Sequence, residues 1–237
     1  MRVHKICREE LLLTIRFLSL SGSLNCGANN VSFNVISVSS GTTLTLSSGP
    51  TTFIGNITSS GTINHNNGLV SFQGSSNIPD SLSLNNVEVT PGSTVNIPTS
   101  GTFFVSGNLI VNGTLNCSQT AVHFNGNTQI GGSSVITFED VFIDSGATLT
   151  ASAANSNVFG NWYNNNGTFS HSNGTVTFNH PFSFTQNITS VSGVAGFYNL
   201  VVAQNVTLQG NTNLTVDGNL DLNLNVLNLG GNTLTLN

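Results

Sequence analysis

Positive charge is almost missing from this sequence. Four of the 237 residues are Lys or Arg and nine are Asp or Glu, so charged residues make up 5% of the chain, against about 25% in ordinary globular proteins. All four basic residues precede Phe17, and the stretch from Phe17 to Asn237 carries acids only. Binding to nucleic acid or to anionic lipid depends on Lys and Arg. The composition therefore excludes a nucleic-acid partner for the body of the chain and disfavours an anionic membrane surface.

Cysteine, proline and strong helix formers are also scarce. The three cysteines, Cys7, Cys26 and Cys117, do not define a disulfide framework, so stability is expected to come from packed strands. The chain contains instead 36 Asn, 30 Ser, 28 Thr and 25 Gly, which favour turns and β-structure over helix. Hydrophobic residues make up 38%, enough for one sizeable core. The composition predicts an all-β fold with many turns.

The N-terminal segment, 1–27, differs in composition from the rest. Basic residues precede an apolar run at 11–15, and small residues follow it, an order typical of a signal peptide. Arg16 interrupts the apolar stretch, which is too short to cross a bilayer as a helix. We expect segment 1–27 to be a signal-like leader, or a short N-terminal helix that caps the first layer with Leu11, Ile15 and Leu18 on one face. A non-physiological extension is the third interpretation.

An internal repeat with a period of about 52 to 58 residues occupies the remaining chain, which we treat as one domain at 28–237. Its units start near residues 53, 105, 159 and 216, and the last copy breaks off at Asn237. This ending suggests a fragment of a longer product. Gly-Asn recurs at one equivalent position in each unit, and a Phe follows the Gly-Thr glycines Gly61, Gly113 and Gly167 by the same 11 residues. The equivalent positions are Gly55, Gly107, Gly160 and Gly218 for Gly-Asn, and Phe72, Phe124 and Phe178 for the aromatic residue.

Short stretches within each unit alternate apolar and polar residues, as in Val70 and Phe72, which is typical of strands with one buried face. Two architectures fit: an antiparallel sandwich or barrel, and a parallel β-solenoid. The repeat favours the solenoid, and so does the lack of charge, because stacking would place like charges about 4.8 Å apart. With about 20 to 25 residues per coil, nine or ten coils are expected, with matching segments of successive units directly atop one another.

The stretches NGTLN, GTVTFN, GGNTLTLN and FYNLVV resemble the Asn/Thr/Gly-rich right-handed parallel β-helix repeats of bacterial surface and secreted proteins, including adhesins and autotransporter-like passengers. The resemblance covers about Val31 to Asn237. It implies a right-handed parallel β-helix that is secreted or displayed at the cell surface. Such repeats also form the scaffolds of some polysaccharide-degrading enzymes, so the resemblance specifies architecture more than activity.

Two acidic clusters are the candidates for metal binding or catalysis. Glu139, Asp140 and Asp144 form one, and Asp217 and Asp221 form the other. Alternating carboxylates offer oxygen ligands, so Asp140, Asp144, Asp217 and Asp221 are weak calcium candidates. Outward polar positions on a strand produce the same pattern. The body has no Lys or Arg to act as the base of a polysaccharide lyase, and we assign no catalytic residue.

Other chemistry-bearing residues are better explained by structure. His65, Cys117 and His171 occupy one place in three units, but stacked units would separate them by about 10 Å, too far for one zinc ion. The adjacent Trp162 and Tyr163 lie among asparagines and are candidate glycan contacts, although neighbours on a strand face opposite ways. We predict no cofactor and no transmembrane helix.

The expected function is that of a non-catalytic structural or adhesive module, displayed outside the cell, whose polar ladders contact glycans or other surface proteins. The first alternative is a polysaccharide-active β-helix enzyme or a fragment of one. The second is an ice-binding or self-assembling solenoid, since Thr-x-Thr pairs order water on flat solenoids and exposed strand edges invite end-to-end association. The Thr pairs are Thr43/Thr45, Thr148/Thr150, Thr175/Thr177 and Thr233/Thr235.

Overall fold

The computed structural model describes residues 13–98, 100–153 and 155–237, and the regular structure in this part of the chain is β-strand throughout. The strands form a parallel β-solenoid of about 11 turns, which confirms the predicted architecture. At a strand spacing of about 4.8 Å, the rod is about 50 Å long. The right-handed sense implied by the resemblance stays a prediction.

Three strands make one turn, so the solenoid has three faces. Face 1 contains the longest series. Its strands are β1 (Leu13–Leu20), β3 (Val31–Val38), β5 (Thr51–Phe53), β8 (Leu69–Phe72), β11 (Asn86–Val89), β14 (Leu109–Val111), β17 (Asn127–Gly131), β20 (Thr148–Thr150), β23 (Thr168–Ser170), β26 (Val194–Phe197), β29 (Asn213–Val216) and β32 (Leu234–Leu236).

Face 2 begins where β6 pairs with the second half of β3. Its strands are β6 (Ile57–Ser59), β9 (Ser75–Asn77), β12 (Thr94–Asn96), β15 (Thr114–Cys117), β18 (Ile136–Phe138), β21 (Ser156–Val158), β24 (Thr175–Phe178), β27 (Asn199–Val202) and β30 (Leu220–Asp221).

Face 3 closes each turn. Its strands are β2 (Leu24–Asn25), β4 (Thr43–Thr45), β7 (Thr62–Asn64), β10 (Leu82–Leu84), β13 (Thr102–Val105), β16 (Ala121–Phe124), β19 (Val141–Ile143), β22 (Trp162–Asn164), β25 (Gln186–Ser190), β28 (Val206–Gln209) and β31 (Leu227–Asn228).

Period-two alternation explains why these short segments are strands. In β13, Phe103 and Val105 point into the solenoid, while Thr102 and Phe104 point outward. Inward residues stack on their partners one turn away: the rings of Phe33 and Phe53 lie 5.6 Å apart, and those of Phe53 and Phe72 lie 5.7 Å apart. The core is therefore a continuous apolar column along the rod.

The abundant asparagines act at the corners, where the backbone leaves one face for the next. Asp140 Oδ1 accepts hydrogen bonds from the backbone N–H and the Nδ2 of Asn161 one turn away, and Asn161 Oδ1 accepts the same pair from Asn187. Corner N–H groups have no strand partner and must be satisfied another way. Side-chain oxygens of Asn or Asp in the adjacent turn supply that partner, which explains a composition rich in Asn.

The sequence repeat is out of step with the turn of the solenoid. Phe72, Phe124 and Phe178 occupy one repeat position, but they lie on β8, β16 and β24, which belong to faces 1, 3 and 2. One unit contains eight strands, and eight strands make two and two-thirds turns. The expectation that successive units lie directly atop one another is therefore wrong. Phe72 instead pairs with Phe53 and Val89, both one turn away.

From Leu13 onward, the N-terminal segment joins the solenoid as a strand. Leu13–Leu20 is β1, and it pairs in parallel with Val31–Val38. The short helix that was one expectation for this segment is wrong for residues 13–20, because main-chain pairing with β3 and burial of Leu20 stabilise the extended form. Leu11, also part of that predicted helix, lies outside the described residues.

Candidate functional site

Trp162 and Tyr163 lie on opposite sides of β22, as neighbours on a strand must. Trp162 points inward with 4% of its surface exposed, and its ring contacts Phe169 at 4.8 Å and Phe197 at 5.3 Å. It is a core residue and presents no ring to a glycan, so that part of the prediction is corrected. Tyr163 points outward, and its ring stacks on Phe142 at 4.5 Å.

Four aromatic side chains form a ladder along the outside of face 3. Phe104, His123, Phe142 and Tyr163 are register partners on successive strands. Their ring centroids lie 5.0, 4.3 and 4.5 Å apart, and the two shorter contacts are stacked within 15° of parallel. Since neighbouring rings cover one another, the ladder offers a ligand mainly its ring edges. The ladder was not predicted from the sequence, although outward aromatic positions that recur about every 20 residues signal it.

The acidic candidates are engaged by their own neighbours. Asp144 lies 3.0 Å from His123 Nδ1, and Asp217 lies 3.0 Å from His171 Nε2. The hydrogen bonds to Asp140 come from Asn161 and the one to Asp221 from the backbone N–H two residues on. Within the described ranges, no three His, Cys, Asp or Glu side chains converge in a way that holds a metal ion. The geometry offers no support to calcium at Asp140, Asp144, Asp217 or Asp221.

Asp217 has the clearest electrostatic environment of these acids. Asn237 Nδ2 donates a hydrogen bond to its Oδ1 at 2.6 Å, and His171 contacts its other oxygen. These two hydrogen bonds, in that order of size, lower the pKa of the Asp217 carboxyl below its ordinary value because they favour the charged form. The contacts join the ends of β23, β29 and β32, so their role is to tie several turns together at one corner.

The residues considered for zinc lie on three different faces. His65 follows β7 on face 3, Cys117 ends β15 on face 2, and His171 follows β23 on face 1. Cys117 is fully buried, which raises the pKa of its thiol to about 12, and its Sγ donates to the carbonyl oxygen of Thr137 at 3.1 Å. The out-of-step repeat separates these residues more completely than stacked units would.

The Thr pairs considered for ice binding are likewise distributed over the three faces. Thr43 and Thr45 lie on face 3, and the pair on β24 lies on face 2. The pair on β20 and the pair that begins just before β32 share face 1, but Val194 and Gly196 interrupt the array between them on β26. The four pairs therefore do not form one continuous Thr-x-Thr plane.

One segment breaks the regular turn. Register partners one turn apart are separated by about 20 residues along most of the described chain, but Trp162 pairs with Ile188, and the chain between them is longer. The extra length lies in segment 179–185, here called the corner loop, which connects β24 of face 2 to β25 of face 3. Gln186 is fully buried beneath it, and its Nε2 donates to the carbonyl oxygens of Val158 and Gly160 at 2.7 Å. The corner loop therefore projects from a fixed base.

The corner loop exposes aromatic rings. Phe182 is 75% exposed and Phe184 is 47% exposed. Both rings lie next to His180, at 5.8 Å and 5.1 Å, and Phe159 of the preceding turn contacts His180 edge-on at 6.3 Å. The backbone N–H of Phe182 donates to His180 Nδ1 at 3.1 Å, which fixes the imidazole inside this cluster. Inserted loops on repeat proteins commonly carry the binding surface.

A groove of about 530 Å³ runs along this corner between faces 2 and 3. Five successive turns line it, so it extends about 19 Å parallel to the rod at a strand spacing of about 4.8 Å. Small and polar residues line the early turns, and the corner loop closes the far end. Representative lining residues, in order along the rod, are Gly101, Gln119, Glu139, Asp140, Phe159 and Phe182.

The groove carries negative charge at its centre. Partial burial raises the pKa of the Glu139 carboxyl, the neighbouring Asp140 raises it further, and His180 acts in the opposite direction. Burial, with a smaller contribution from Asp140, also raises the pKa of Tyr163, whose ladder lies beside the groove. The sequence prediction that grouped Glu139 with Asp140 identified this charge, but it placed the charge on a strand face and missed the corner loop.

Comparison with protein-family models, curated proteins and solved structures gave no match to this chain. The structure itself establishes the fold class as a parallel β-solenoid. Because no comparison matched, the resemblance to bacterial adhesins remains a prediction. Among the residues that the structure describes, no helix has the length and apolar character needed to cross a membrane.

Proposed function

We propose that this chain is a non-catalytic adhesive module, secreted or displayed at the cell surface, that holds an extended glycan in the groove beside the corner loop. The observation that carries the proposal is the one insertion in an otherwise regular described solenoid. It places exposed Phe182 at the end of a groove about 19 Å long, with exposed Phe184 next to the groove residue His180. Exposed rings on a fixed loop are unfavourable in water and become favourable once a ligand covers them.

A glycan matches the chemistry of this groove. Hydroxyl and amide side chains such as Ser118 and Gln119 offer hydrogen bonds without charge, and aromatic rings offer apolar surface with defined geometry. The groove is open, straight and parallel to the rod, which suits a linear chain better than a compact ligand. The carboxylates of the groove repel phosphate and sulfate groups on a glycan. The sequence beyond Arg16 has no Lys or Arg that could pair with such groups.

The test is a glycan array followed by titration of the best ligand against the double variant Phe182→Ala/Phe184→Ala. We expect affinity to fall about tenfold or more, since burying a Phe side chain under a ligand contributes up to about 1.5–3 kcal/mol. The matched control is Val191→Ala/Val194→Ala, which removes two exposed apolar side chains outside the groove. An array without any ligand, or equal affinities for the two double variants, contradicts the proposal.

A polysaccharide hydrolase is the second candidate function. It is favoured by the raised pKa of Glu139 beside Asp140 in the same groove, because paired carboxyls with different pKa values serve as acid and base in glycoside hydrolysis. Incubation with neutral and acidic polysaccharides distinguishes the two functions. New reducing ends that disappear in Glu139→Gln support hydrolysis, while binding without cleavage supports the adhesive module.

A further inference from the structure

If the proposed function holds, the negative charge of the groove limits which glycans bind there. Glu139 and Asp140 lie at its centre. The described residues contain one Lys or Arg, Arg16, which is on β1 in the first turn, several turns away from the corner loop. A ligand that enters the groove therefore meets two carboxylates with no Lys or Arg beside them in the described residues, and the basic side chain in the groove is the imidazole of His180, at the corner-loop end.

The two carboxylates are not equally engaged. Asp140 Oδ1 accepts both hydrogen bonds from Asn161, and among the described residues no donor is hydrogen-bonded to its other oxygen. In the described part of the chain no donor is hydrogen-bonded to the Glu139 side chain, which lines the groove half-buried. A partly desolvated carboxylate without a donor gains more from a bound cation than a fully solvated one does, because its charge is less screened.

Aromatic rings adjoin these acids. Phe159 and Phe182 line the same groove, and aromatic faces attract ammonium groups within about 6 Å of the ring centre. Carboxylate and ring together favour a cationic group over a neutral one, and they disfavour an anionic one. We propose that the groove selects glycans that carry protonated amino groups, such as polymers of deacetylated amino sugars, over neutral and anionic glycans.

The experiment compares three oligosaccharides of equal length by titration calorimetry: oligoglucosamine, its fully N-acetylated form and oligogalacturonate. We expect oligoglucosamine to bind roughly tenfold more tightly than the acetylated form in low salt, since each of the two partly screened ion pairs makes a modest favourable contribution. The preference should shrink as salt rises to about 1 M, where charges are screened beyond about 3 Å. Oligogalacturonate should bind most weakly.

The variant Glu139→Gln/Asp140→Asn tests whether the groove produces the preference. Both substitutions are nearly isosteric, and Asp140→Asn keeps a side-chain oxygen that can accept from Asn161. We expect the preference for oligoglucosamine over its acetylated form to fall to about twofold or less. The control Glu88→Gln/Asp221→Asn removes the same net charge from faces 1 and 2, and it should retain the preference.

The outcomes separate this inference from the function on which it rests. Equal binding of the acetylated and deacetylated oligomers, or an equal loss of preference in the control variant, overturns the selection for amino groups and leaves glycan binding in place. Absence of binding by every oligomer overturns both. A preference that only the groove variant abolishes supports the inference.

Discussion

The out-of-step repeat makes a prediction about energetic coupling inside the core. Phe72 and Phe124 are equivalent in the sequence repeat, but they lie on different faces and two and two-thirds turns apart, about 13 Å along the rod. Phe53 and Phe72 have no such equivalence, yet their rings stack at 5.7 Å. Double Phe→Leu variants therefore distinguish two arrangements: contact between residues one solenoid turn apart, and contact between residues at equivalent positions of the sequence repeat.

The magnitudes follow from burial and distance. Phe53, Phe72 and Phe124 are each at most 1% exposed, so each Phe→Leu substitution should cost about 1–2 kcal/mol, less than a change to Ala would. The pair Phe53/Phe72 should show a coupling energy of about 0.5–1.5 kcal/mol, the usual value for aromatic pairs. The pair Phe72/Phe124 should be additive within about 0.5 kcal/mol, as expected beyond about 10 Å.

Equilibrium urea unfolding of the wild type, single variants and double variants provides the free energies. Trp162, the one Trp of the chain, is buried and reports loss of the core by fluorescence, while far-UV circular dichroism reports loss of strands. The two transitions must coincide, because long repeat arrays depart from two-state unfolding. Coupling between Phe72 and Phe124 together with additivity between Phe53 and Phe72 would refute the assigned turn.

Three further predictions concern single positions. A Cβ at residue 74 would overlap the backbone carbonyl oxygen of Ile54, so Gly74→Ala should lower the free energy of unfolding by more than about 2 kcal/mol, measured in urea. Because the pKa of Asp217 is lowered in the folded protein, this carboxylate stabilises the fold above its unfolded pKa, and the stabilisation is lost as pH falls through the folded pKa. NMR titration should place the Asp217 midpoint below that of an ordinary aspartate. The variant Asn237→Ala should raise that midpoint. Burial and a pKa of about 12 should leave Cys117 unmodified by iodoacetamide in the folded protein and modified in urea, as read by mass spectrometry.

Each of these predictions has a control within the chain. Gly196→Ala, where a Cβ meets nothing within 4 Å, should leave stability unchanged or raise it by up to about 1 kcal/mol. A similar loss in both glycine variants contradicts the assigned close approach. Asn232→Ala changes a corner amide that does not contact Asp217. A shift of the Asp217 midpoint in that variant would contradict the assignment of the lowered pKa to the hydrogen bonds from Asn237 and His171. Rapid labelling of Cys117 without denaturant would contradict its burial.

The fold class was predictable because alternation acts locally. Val122 and Phe124 are separated by a single polar residue, so any strand that contains them buries one face. The shortage of charge then favoured like-on-like stacking in a parallel arrangement. The number of turns in one sequence repeat was harder to predict, because a period of this length is compatible with several whole or fractional numbers of turns.

The candidate site was predictable only in part. Glu139, Asp140 and Tyr163 attracted attention through their residue types, and the structure places all three in or beside the groove. No prediction from the sequence concerned Phe182 or Phe184. Their exposure follows from the extra length of segment 179–185, which is visible as an insertion only after the neighbouring turns are aligned in register.

The amino-acid sequence by itself determined the strands, their buried sides, the corner asparagines and the negative potential, because each depends on residue type and on neighbours close along the chain. The tertiary structure alone decided which strand lies on which. The turn closes after three strands because of how the inward side chains fill the cross-section of the solenoid. Residues about one turn apart along the chain therefore become neighbours in space. For that reason Phe104, His123, Phe142 and Tyr163 form a ladder, while the repeat-equivalent Phe72, Phe124 and Phe178 point into the core from three different faces.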